Sequence, residues 1–202
     1  MNNSDFNLNY QNKSIESKIV ASLERISQAF RVLLWQESKE FALTPIQIQV
    51  LIFIFYHHNE KCKVSYLADE FNLTKATISE TIKTLEQKEL ITKEFDTQDT
   101  RSFTIQLTKN GKKIVEQTSL FSKEIFNPID KLHQDDKETL LFSLLNIIKH
   151  LNQVKVITIQ RMCFTCVYYK RSANGQKHFC NLLNQNLQTT DLRIDCPDYV
   201  SL

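Results

Sequence analysis

The chain has 202 residues, 42% of them hydrophobic and 24% charged, which fits one compact domain with an appendage or two small domains and argues against a globally disordered protein. It has only 2 glycines and 3 prolines, which favours a mainly helical fold over a β-sandwich or barrel and excludes a glycine-rich phosphate loop. The net charge of +2 permits nucleic-acid binding without requiring it, so only local patterns can decide.

The N-terminal segment, residues 1–13, is polar and rich in asparagine, and we expect it to form a flexible arm. It lacks the apolar centre of a signal peptide, and the longest apolar run, residues 50–56, is too short to cross a bilayer. We therefore expect a cytoplasmic protein without membrane contacts. In that reducing compartment the 5 cysteines are expected to be thiols or metal ligands rather than disulfides.

Two helices are predicted after this arm. Residues 15–38 carry an apolar stripe at alternating spacings of four and three residues, formed by Ile19, Leu23, Ile26, Phe30 and Leu33. Thr44 and Pro45 are a typical N-cap and first helical residue. Residues 46–56 are apolar on nearly all sides; their composition also suits a buried strand, but the Thr-Pro start and the length favour a buried helix.

A helix, a turn, a second helix and two strands follow in that order. Residues 65–71 form the first helix, Asn72 and Leu73 the turn, and Thr74 caps the second helix, which is predicted to end near Glu89. Residues 91–95 and 103–107 are short β-rich runs separated by a polar, charged loop, which indicates a hairpin. This order of elements is that of a winged helix-turn-helix, in which the hairpin is the wing.

Two longer helices and a cysteine-rich segment complete the chain. A helix is predicted from Thr108 to about Phe126, with Pro128 as the interruption, and another over residues 134–160. After Met162 the helical periodicity ends. The predicted fold is therefore mainly α with a small β-hairpin wing. It divides into the arm, a winged helix-turn-helix with long helices (residues 14–160, the winged part being 44–107), and a small Cys-rich module (residues 161–202).

The helix that follows Thr74 has the two faces that a DNA-reading helix needs. Ile78, Ile82 and Leu85 recur at helical spacing and would anchor it in the core. Small or polar residues would then face outward, so that the backbone can approach base edges or phosphates. The candidate DNA-contacting residues of this face are Thr74, Lys75, Ala76, Thr77, Ser79, Glu80 and Lys83.

Three segments resemble the MarR family of transcriptional regulators. Residues 73–85 (LTKATISETIKTL) resemble its recognition helix, and residues 89–93 (ELITK) resemble the strand that follows. Residues 99–111 (DTRSFTIQLTKNG) resemble its wing signature, an Asp-x-Arg followed by Leu-Thr-x-x-Gly. The resemblance covers residues 15–151 and implies a sequence-specific regulator that binds double-stranded DNA through residues 44–107.

The resemblance also implies particular residue roles and partners. Arg101 would enter or skirt the minor groove, and Asp99 would orient the wing. Glu80 stands where the family often has arginine; a carboxylate repels phosphate but can accept from a cytosine amino group, so we expect a different target sequence.

A homodimer formed by the first and last long helices is implied as well. Regulators of this kind often bind small-molecule inducers between the dimer helices and the winged helix. Trp35, Phe30 and Tyr56 are candidates to line such a site, although residues of this kind more often belong to the core.

Four of the cysteines lie in the C-terminal module. Cys163 and Cys166 form a C-x2-C pair, and Cys180 and Cys196 are spaced so that all four thiolates can bind one metal ion. A metal would stabilise a module that is too small for a core of its own. Thiolate-only ligation suits Zn²⁺; an iron–sulfur cluster and four free or redox-active thiols are the alternatives. His178 is a substitute ligand that we expect to be exposed or outside the ligand set.

The remaining candidates do not point to catalysis. Cys62 stands alone, so an ordinary thiol is expected rather than a redox sensor. His57 and His58 are adjacent, so their rings diverge, and four thiolates leave a metal no open position. No enzyme is predicted. Two other functions remain open. One is a metal- or redox-responsive regulator in which the cysteine module is the sensor, and the other is an adaptor whose winged helix binds protein instead of DNA.

Overall fold

The computed structural model describes residues 4–95, 103–172 and 177–202. In chain order the α-helices are α1 (Leu8–Gln11), α2 (Ile15–Phe41), α3 (Pro45–Tyr56), α4 (Val64–Glu70), α5 (Lys75–Gln87), α6 (Lys109–Thr118), α7 (Lys123–Asp130) and α8 (Gln134–Gln153). The strands are β1 (Ile91–Phe95), β2 (Phe103–Leu107), β3 (Tyr169–Arg171), β4 (His178–Cys180) and β5 (Gln185–Leu187). The prediction of a mainly helical fold with a small β-hairpin is confirmed.

No single helix in these ranges is long and apolar enough to cross a membrane; α2 and α3 meet that criterion only as a pair, and the chain bends by 91° between them.

Part of the predicted N-terminal arm forms the short helix α1. Asn7 caps it by accepting from the backbone N–H groups of Asn9 and Tyr10. The Ser17 hydroxyl donates to Asp5 at 2.7 Å, which holds the segment before α1 against the start of α2.

The end of α2 is fixed against the winged helix. Ala42 follows the helix in a left-handed conformation (φ 51°), which stops it after Phe41. The Lys88 ammonium group, just after α5, donates to the Ala42 carbonyl at 2.8 Å. The two helix ends are thereby joined.

Helix α3 lies at the centre of the main core, as its apolar composition predicted. Thr44 and Gln47 form a reciprocal capping box, with Pro45 in the first turn. Residues from every other element of the winged helix pack around it. The buried members of this core include Leu34, Ile48, Val50, Leu51, Leu67, Ile78, Ile82, Leu85, Ile91, Ile105 and Val115.

Helices α4 and α5 form the predicted helix-turn-helix. Asn72 lies in the turn with φ 51°, a conformation that asparagine tolerates better than most residues. Thr74 caps α5 by accepting from the Thr77 N–H group at 3.1 Å. The three predicted anchor residues are at most 1% exposed: Ile78, Ile82 and Leu85.

Strands β1 and β2 form the antiparallel wing, with Ile91 opposite Leu107 and Phe95 opposite Phe103. The tip between them lies outside the described residues. The Ile105 N–H group donates to the Cys62 carbonyl at 2.9 Å, which attaches the wing to the segment before α4. An ion pair of 2.6 Å between Lys93 and Glu86 attaches it to α5.

Gly111 allows α6 to approach the backbone of Leu90, just before β1. A Cβ atom at this position would lie 2.0 Å from the Leu90 carbonyl oxygen, so no larger residue fits without a backbone shift. Thr108, the cap of α6, donates through its hydroxyl to the Glu89 carbonyl at 2.7 Å. The glycine of the wing signature thus has a packing role.

The predicted helix from Thr108 to Phe126 is wrong in extent. α6 ends at Thr118 and α7 begins at Lys123. Phe121 lies in the break, packs against the main core and meets the Phe30 ring edge-on at 6.3 Å. Burial of this ring outweighs continued helical hydrogen bonding, and Pro128 lies inside α7 instead of marking the interruption.

The last long helix is shorter than predicted, because α8 ends at Gln153 instead of residue 160. Lys155 takes a left-handed conformation (φ 62°), which turns the chain away from the helix axis. The Asn152 side chain donates to the Ile157 carbonyl at 3.0 Å and stabilises this exit.

The C-terminal module contains the antiparallel sheet β3–β4–β5 and packs against α8. Leu145 of α8 is buried with Met162, Phe164, Leu187 and Leu192, and Leu141 and Ile148 contact this cluster. Part of the apolar surface of α8 therefore completes the core of the module.

Candidate nucleic-acid interface and cysteine module

The outward face of α5 carries the residues predicted to contact DNA. All seven predicted positions on and before this helix are exposed: Thr74, Lys75, Ala76, Thr77, Ser79, Glu80 and Lys83. Asp99 and Arg101, the two predicted contacts of the wing, lie outside the described residues. The structure thus brings the helical candidates to one surface, while the contribution of the wing stays a prediction.

Local hydrogen bonds prepare this surface. The Thr74 and Thr77 hydroxyls lie 2.8 Å apart, and the buried Thr81 donates back to the Thr77 carbonyl at 2.9 Å. The first turn of α5 adds the partial positive charge of a helix N-terminus, which favours phosphate.

Glu80 and Lys83 approach to 3.8 Å with side chains 70% and 60% exposed. Such an exposed pair is weak, so Lys83 can turn to a phosphate at little energetic cost.

Three of the four module cysteines line one cavity of about 330 Å³: Cys163, Cys180 and Cys196. Cys166 is buried beside them, and all four are free thiols. Within residues 4–95, 103–172 and 177–202, no group of three or more His, Cys, Asp or Glu side chains is placed so that it could hold a metal ion as it stands.

Arg193 supplies hydrogen-bond donors to two of the sulfurs. Its backbone N–H group donates to Cys163 Sγ at 3.2 Å, and its guanidinium donates to Cys196 Sγ at 3.4 Å. Burial raises the pKa of the Cys163 thiol, the Arg193 N–H group lowers it, and the nearby sulfurs of the other three cysteines raise it further. The Cys163 thiol is therefore neutral, and a bound cation would favour its thiolate form.

His178 is not exposed, because its ring belongs to the module core; of the two expectations for it, only a position outside the ligand set is compatible with this burial. It is 5% exposed, and its Nδ1 lies 2.6 Å from the Tyr169 hydroxyl. Burial and the charge of Arg171 lower the pKa of His178. It lines a different cavity from the cysteines, so this structure gives it no place among their ligands.

An unpredicted cluster centred on Arg161 joins the module to the helix-turn-helix. Arg161 is 6% exposed. It donates to both carboxylate oxygens of Asp195 at 2.6 and 2.8 Å and to both of Glu70 at 2.6 and 3.1 Å. It also donates to the Tyr66 hydroxyl at 2.9 Å. Tyr66 and Glu70 belong to α4, and Asp195 directly precedes Cys196.

Helix α3 also contacts this cluster through its C-terminal end. His57 Nε2 lies 2.9 Å from Asp195, and the His57 ring stacks on Phe53 at 3.8 Å. The Arg161 guanidinium lies 5.6 Å from the centre of the Phe53 ring. Burial alone would raise the pKa of Asp195, but hydrogen bonds from Arg161 and His57 hold it well below its usual range.

The residues proposed to line an inducer site, and the lone Cys62, lie in separate parts of the structure. Phe30 and Trp35 line a cavity of about 350 Å³ beside Phe121, but Tyr56 lines a different one near Asp195. Cys62 is fully buried, and burial raises the pKa of its thiol to about 11, as expected for an inert thiol.

Sequence comparison relates the winged helix to known regulators. The sequence model of the family described as transcriptional regulator SarA/Rot matches residues 33–118. The HTH-type transcriptional regulator SarZ of Staphylococcus saprophyticus is 34% identical over 116 residues, which cover 57% of this chain and 77% of SarZ. SarZ of Staphylococcus epidermidis is 30% identical over 110 residues, covering 54% of this chain and 72% of that protein.

Solved structures show the same fold. Staphylococcus aureus MepR in complex with DNA has a TM-score of 0.58 and 27% identity, over 65% of this chain and 97% of MepR. A MarR transcriptional regulator from Methanosarcina mazei, at 16% identity and a TM-score of 0.56, supports the fold alone; the match covers 68% of this chain and 97% of that one. SarZ and MepR are transcriptional regulators, which agrees with the prediction that the chain is not an enzyme. The family match ends at residue 118 and does not include the cysteine module.

Proposed function

The chain belongs to the SarA/Rot family of winged-helix transcriptional regulators, and we propose that it binds double-stranded DNA sequence-specifically as a homodimer. The exposed face of α5 carries this proposal. Three buried apolar residues anchor the helix, while its opposite side presents only small or polar side chains and lysines. A major groove admits such a helix and lets its backbone approach the base edges.

Five exposed residues of α5 have roles in this proposal. Thr77 and Ser79 donate to phosphates or base edges, and Lys75 and Lys83 neutralise phosphates. Glu80 accepts from a cytosine amino group.

The wing contributes separately, at positions outside the described residues. Arg101 enters or skirts the adjacent minor groove, and Asp99 orients the wing.

Exposed apolar side chains on the long helices support the homodimer. Apolar side chains that share an exposed face mark an interaction surface, whereas scattered ones do not. The exposed apolar residues of the long helices lie on α2, α7 and α8 and include Ile15, Ile19, Val20, Ile26, Phe30, Phe126, Ile129, Leu140 and Ile147. A dimer built from these helices would present two copies of α5 to half-sites about one DNA turn apart. The cavity beside Phe30 and Trp35 is the candidate inducer site.

The dimer is tested by placing a carboxylate on the exposed face of α2. We expect Ile26→Glu to lower the sedimentation coefficient to that of a monomer, because a buried unpaired charge costs several kcal/mol, while the helical circular dichroism is unchanged. Gln36→Glu adds the same charge at another exposed position of α2 and should stay dimeric. A wild-type chain that sediments as a monomer at micromolar concentration would contradict the proposal.

For the module we propose that Cys163, Cys166, Cys180 and Cys196 bind one Zn²⁺. Support comes from the three cysteines that line one cavity, from Cys166 near Cys163, and from the Arg193 donors directed at two of the sulfurs; zinc binding would draw the four sulfurs together. Bound zinc would hold together two segments far apart in sequence, at the C-x2-C pair and at Cys196. A structural role of this kind needs no open coordination position.

Zinc binding is tested by metal analysis of anaerobically purified protein. We expect one zinc per chain in the wild type and in Cys62→Ser. For Cys180→Ser we expect an affinity at least about 100-fold lower, because four ligands share the 10–16 kcal/mol typical of structural zinc sites. Visible absorption together with bound iron would show that the site holds an iron–sulfur cluster instead of zinc. Wild-type protein without any metal would contradict both the zinc site and the iron–sulfur alternative.

A further inference from the structure

We infer that the cysteine module is the effector site of the DNA-binding unit. Binding of Zn²⁺ to its thiols acts on the helix-turn-helix through Arg161, so that the zinc-loaded protein binds DNA more tightly than the zinc-free protein. This inference rests on the proposed function and adds the regulation of that site. The Arg161 cluster, which spans the module, α3 and α4, carries it.

On the module side, the cluster and the thiols share the same two segments. Arg161 lies two residues before Cys163, and Asp195 directly precedes Cys196. The Cys196 N–H group donates to the Arg161 carbonyl at 2.9 Å, and the two segments form a parallel bridge at Arg161 and Asp195. A metal that fixes Cys163 and Cys196 therefore also fixes the distance between Arg161 and Asp195.

On the DNA-binding side, the same guanidinium holds α4. Glu70, at the last position of that helix, receives two hydrogen bonds from Arg161, and Tyr66 receives one. The Thr158 hydroxyl donates to the Asp69 carbonyl in the same helical turn. α4 packs against α5, so a shift of α4 moves the surface that carries Thr77 and Ser79.

Burial makes this connection sensitive to geometry. The Arg161 side chain is 6% exposed and that of Glu70 18% exposed, so water cannot readily replace their hydrogen bonds. Losing one partner of a buried pair costs far more than losing an exposed pair. An unloaded module that lets Asp195 move thus leaves Arg161 with one carboxylate in place of two, and loosens its hold on α4.

The direction of the effect follows from preorganisation. A loaded module holds α4 and α5 in one arrangement before DNA is met, so less conformational entropy is lost on binding. Removal of zinc should weaken DNA binding without abolishing it, because the contacts of α5 stay available.

The test measures the affinity of the full-length chain for a duplex selected by that chain, with free Zn²⁺ set by a chelator buffer. We expect the zinc-loaded protein to bind about tenfold more tightly than the zinc-free protein, within the range typical of coupled sites. Because the coupling between the two binding sites is reciprocal, bound DNA must raise the zinc affinity by the same factor. This can be measured on the wild-type protein, without any variant.

Two variants test the route through the cluster. Glu70→Gln and Arg161→Lys should keep one zinc per chain and reduce the tenfold ratio to about twofold or less, because the forked hydrogen bonding between α4 and the module is lost. Glu116→Gln, the same chemical change at an exposed position of α6, should keep the full ratio.

Equal DNA binding by the zinc-loaded and zinc-free wild type would overturn the inference and leave zinc as a purely structural ligand, and weaker binding by the zinc-loaded protein would overturn it by reversing the sign of the coupling. An unchanged ratio in Glu70→Gln and Arg161→Lys would overturn the route through Arg161. Failure to bind any selected duplex in either state would remove the proposed function and the inference together, so the two failures are distinguishable.

Discussion

Replacement of Ala76 by glutamate should weaken binding to the selected duplex by about 100-fold or more, because like charges brought together at an interface cost several kcal/mol. Ala76 is exposed in the first turn of α5, between Lys75 and Thr77. A carboxylate there meets the phosphates and also removes the close approach that the methyl group permits. The fold should be unaffected, since the side chain points to solvent. Fluorescence anisotropy with labelled duplex measures the affinity.

Gln87→Glu is the matched control, because it adds the same charge to the exposed C-terminal end of the same helix. The two positions are separated by about 16 Å along the axis, beyond the screening length of about 8 Å at physiological salt. Its affinity should stay within about twofold of the wild type. Equal losses in both variants would mean that net charge, and not the face of α5, governs binding.

Arg161→Met should lower the free energy of unfolding by about 3 kcal/mol, since it leaves Glu70 without its partner and Asp195 with His57 alone. The figure lies at the lower end for buried pairs because the Asp195 side chain is 40% exposed. Denaturant titration followed by circular dichroism measures it, with the metal content of all variants matched.

The triple variant Arg161→Met, Glu70→Gln, Asp195→Asn provides the control for charge. Removing all three charges removes the stranded carboxylates, so most of the lost stability should return. If the triple variant is as unstable as Arg161→Met, the loss arises from packing against Phe53 and Tyr66 instead of from charge.

Local signals predicted the winged helix because each element carries its own. Thr74 marks the start of α5, and Ile78, Ile82 and Leu85 mark its buried side at helical spacing; all four behave as predicted. The wing strands begin and end where the β-rich runs do. The exposed candidates on α5 followed from the same periodicity, since fixing the buried side of a helix fixes its outward side.

Helix ends were predicted less well because tertiary contacts decided them. Nothing near Phe121 in the sequence breaks a helix; the break follows from burial of its ring against residues distant in the chain. The end of α8 depends on Asn152, whose side chain satisfies a carbonyl beyond the helix. Pro128 is a strong local signal and still lies inside α7.

The Arg161 cluster lay beyond sequence reasoning because its partners are far apart in the chain. Arg161 meets Glu70 across 91 residues and Asp195 across 34. The available signal was a single arginine among apolar residues near Met162, which is as consistent with a surface position as with a buried ion pair. Because these acidic residues are distant from Arg161 in the chain, the sequence does not indicate which of them it contacts.

The central claim is that the exposed face of α5 reads DNA sequence. Its most direct test compares the affinity of the full-length chain, at physiological salt, for a duplex obtained by selection and for a shuffled duplex of equal length and composition. We predict a preference of about 1,000-fold or more for the selected duplex. Equal affinity for both duplexes, or no binding even at low salt, would contradict the account and leave the winged helix as a surface for protein partners.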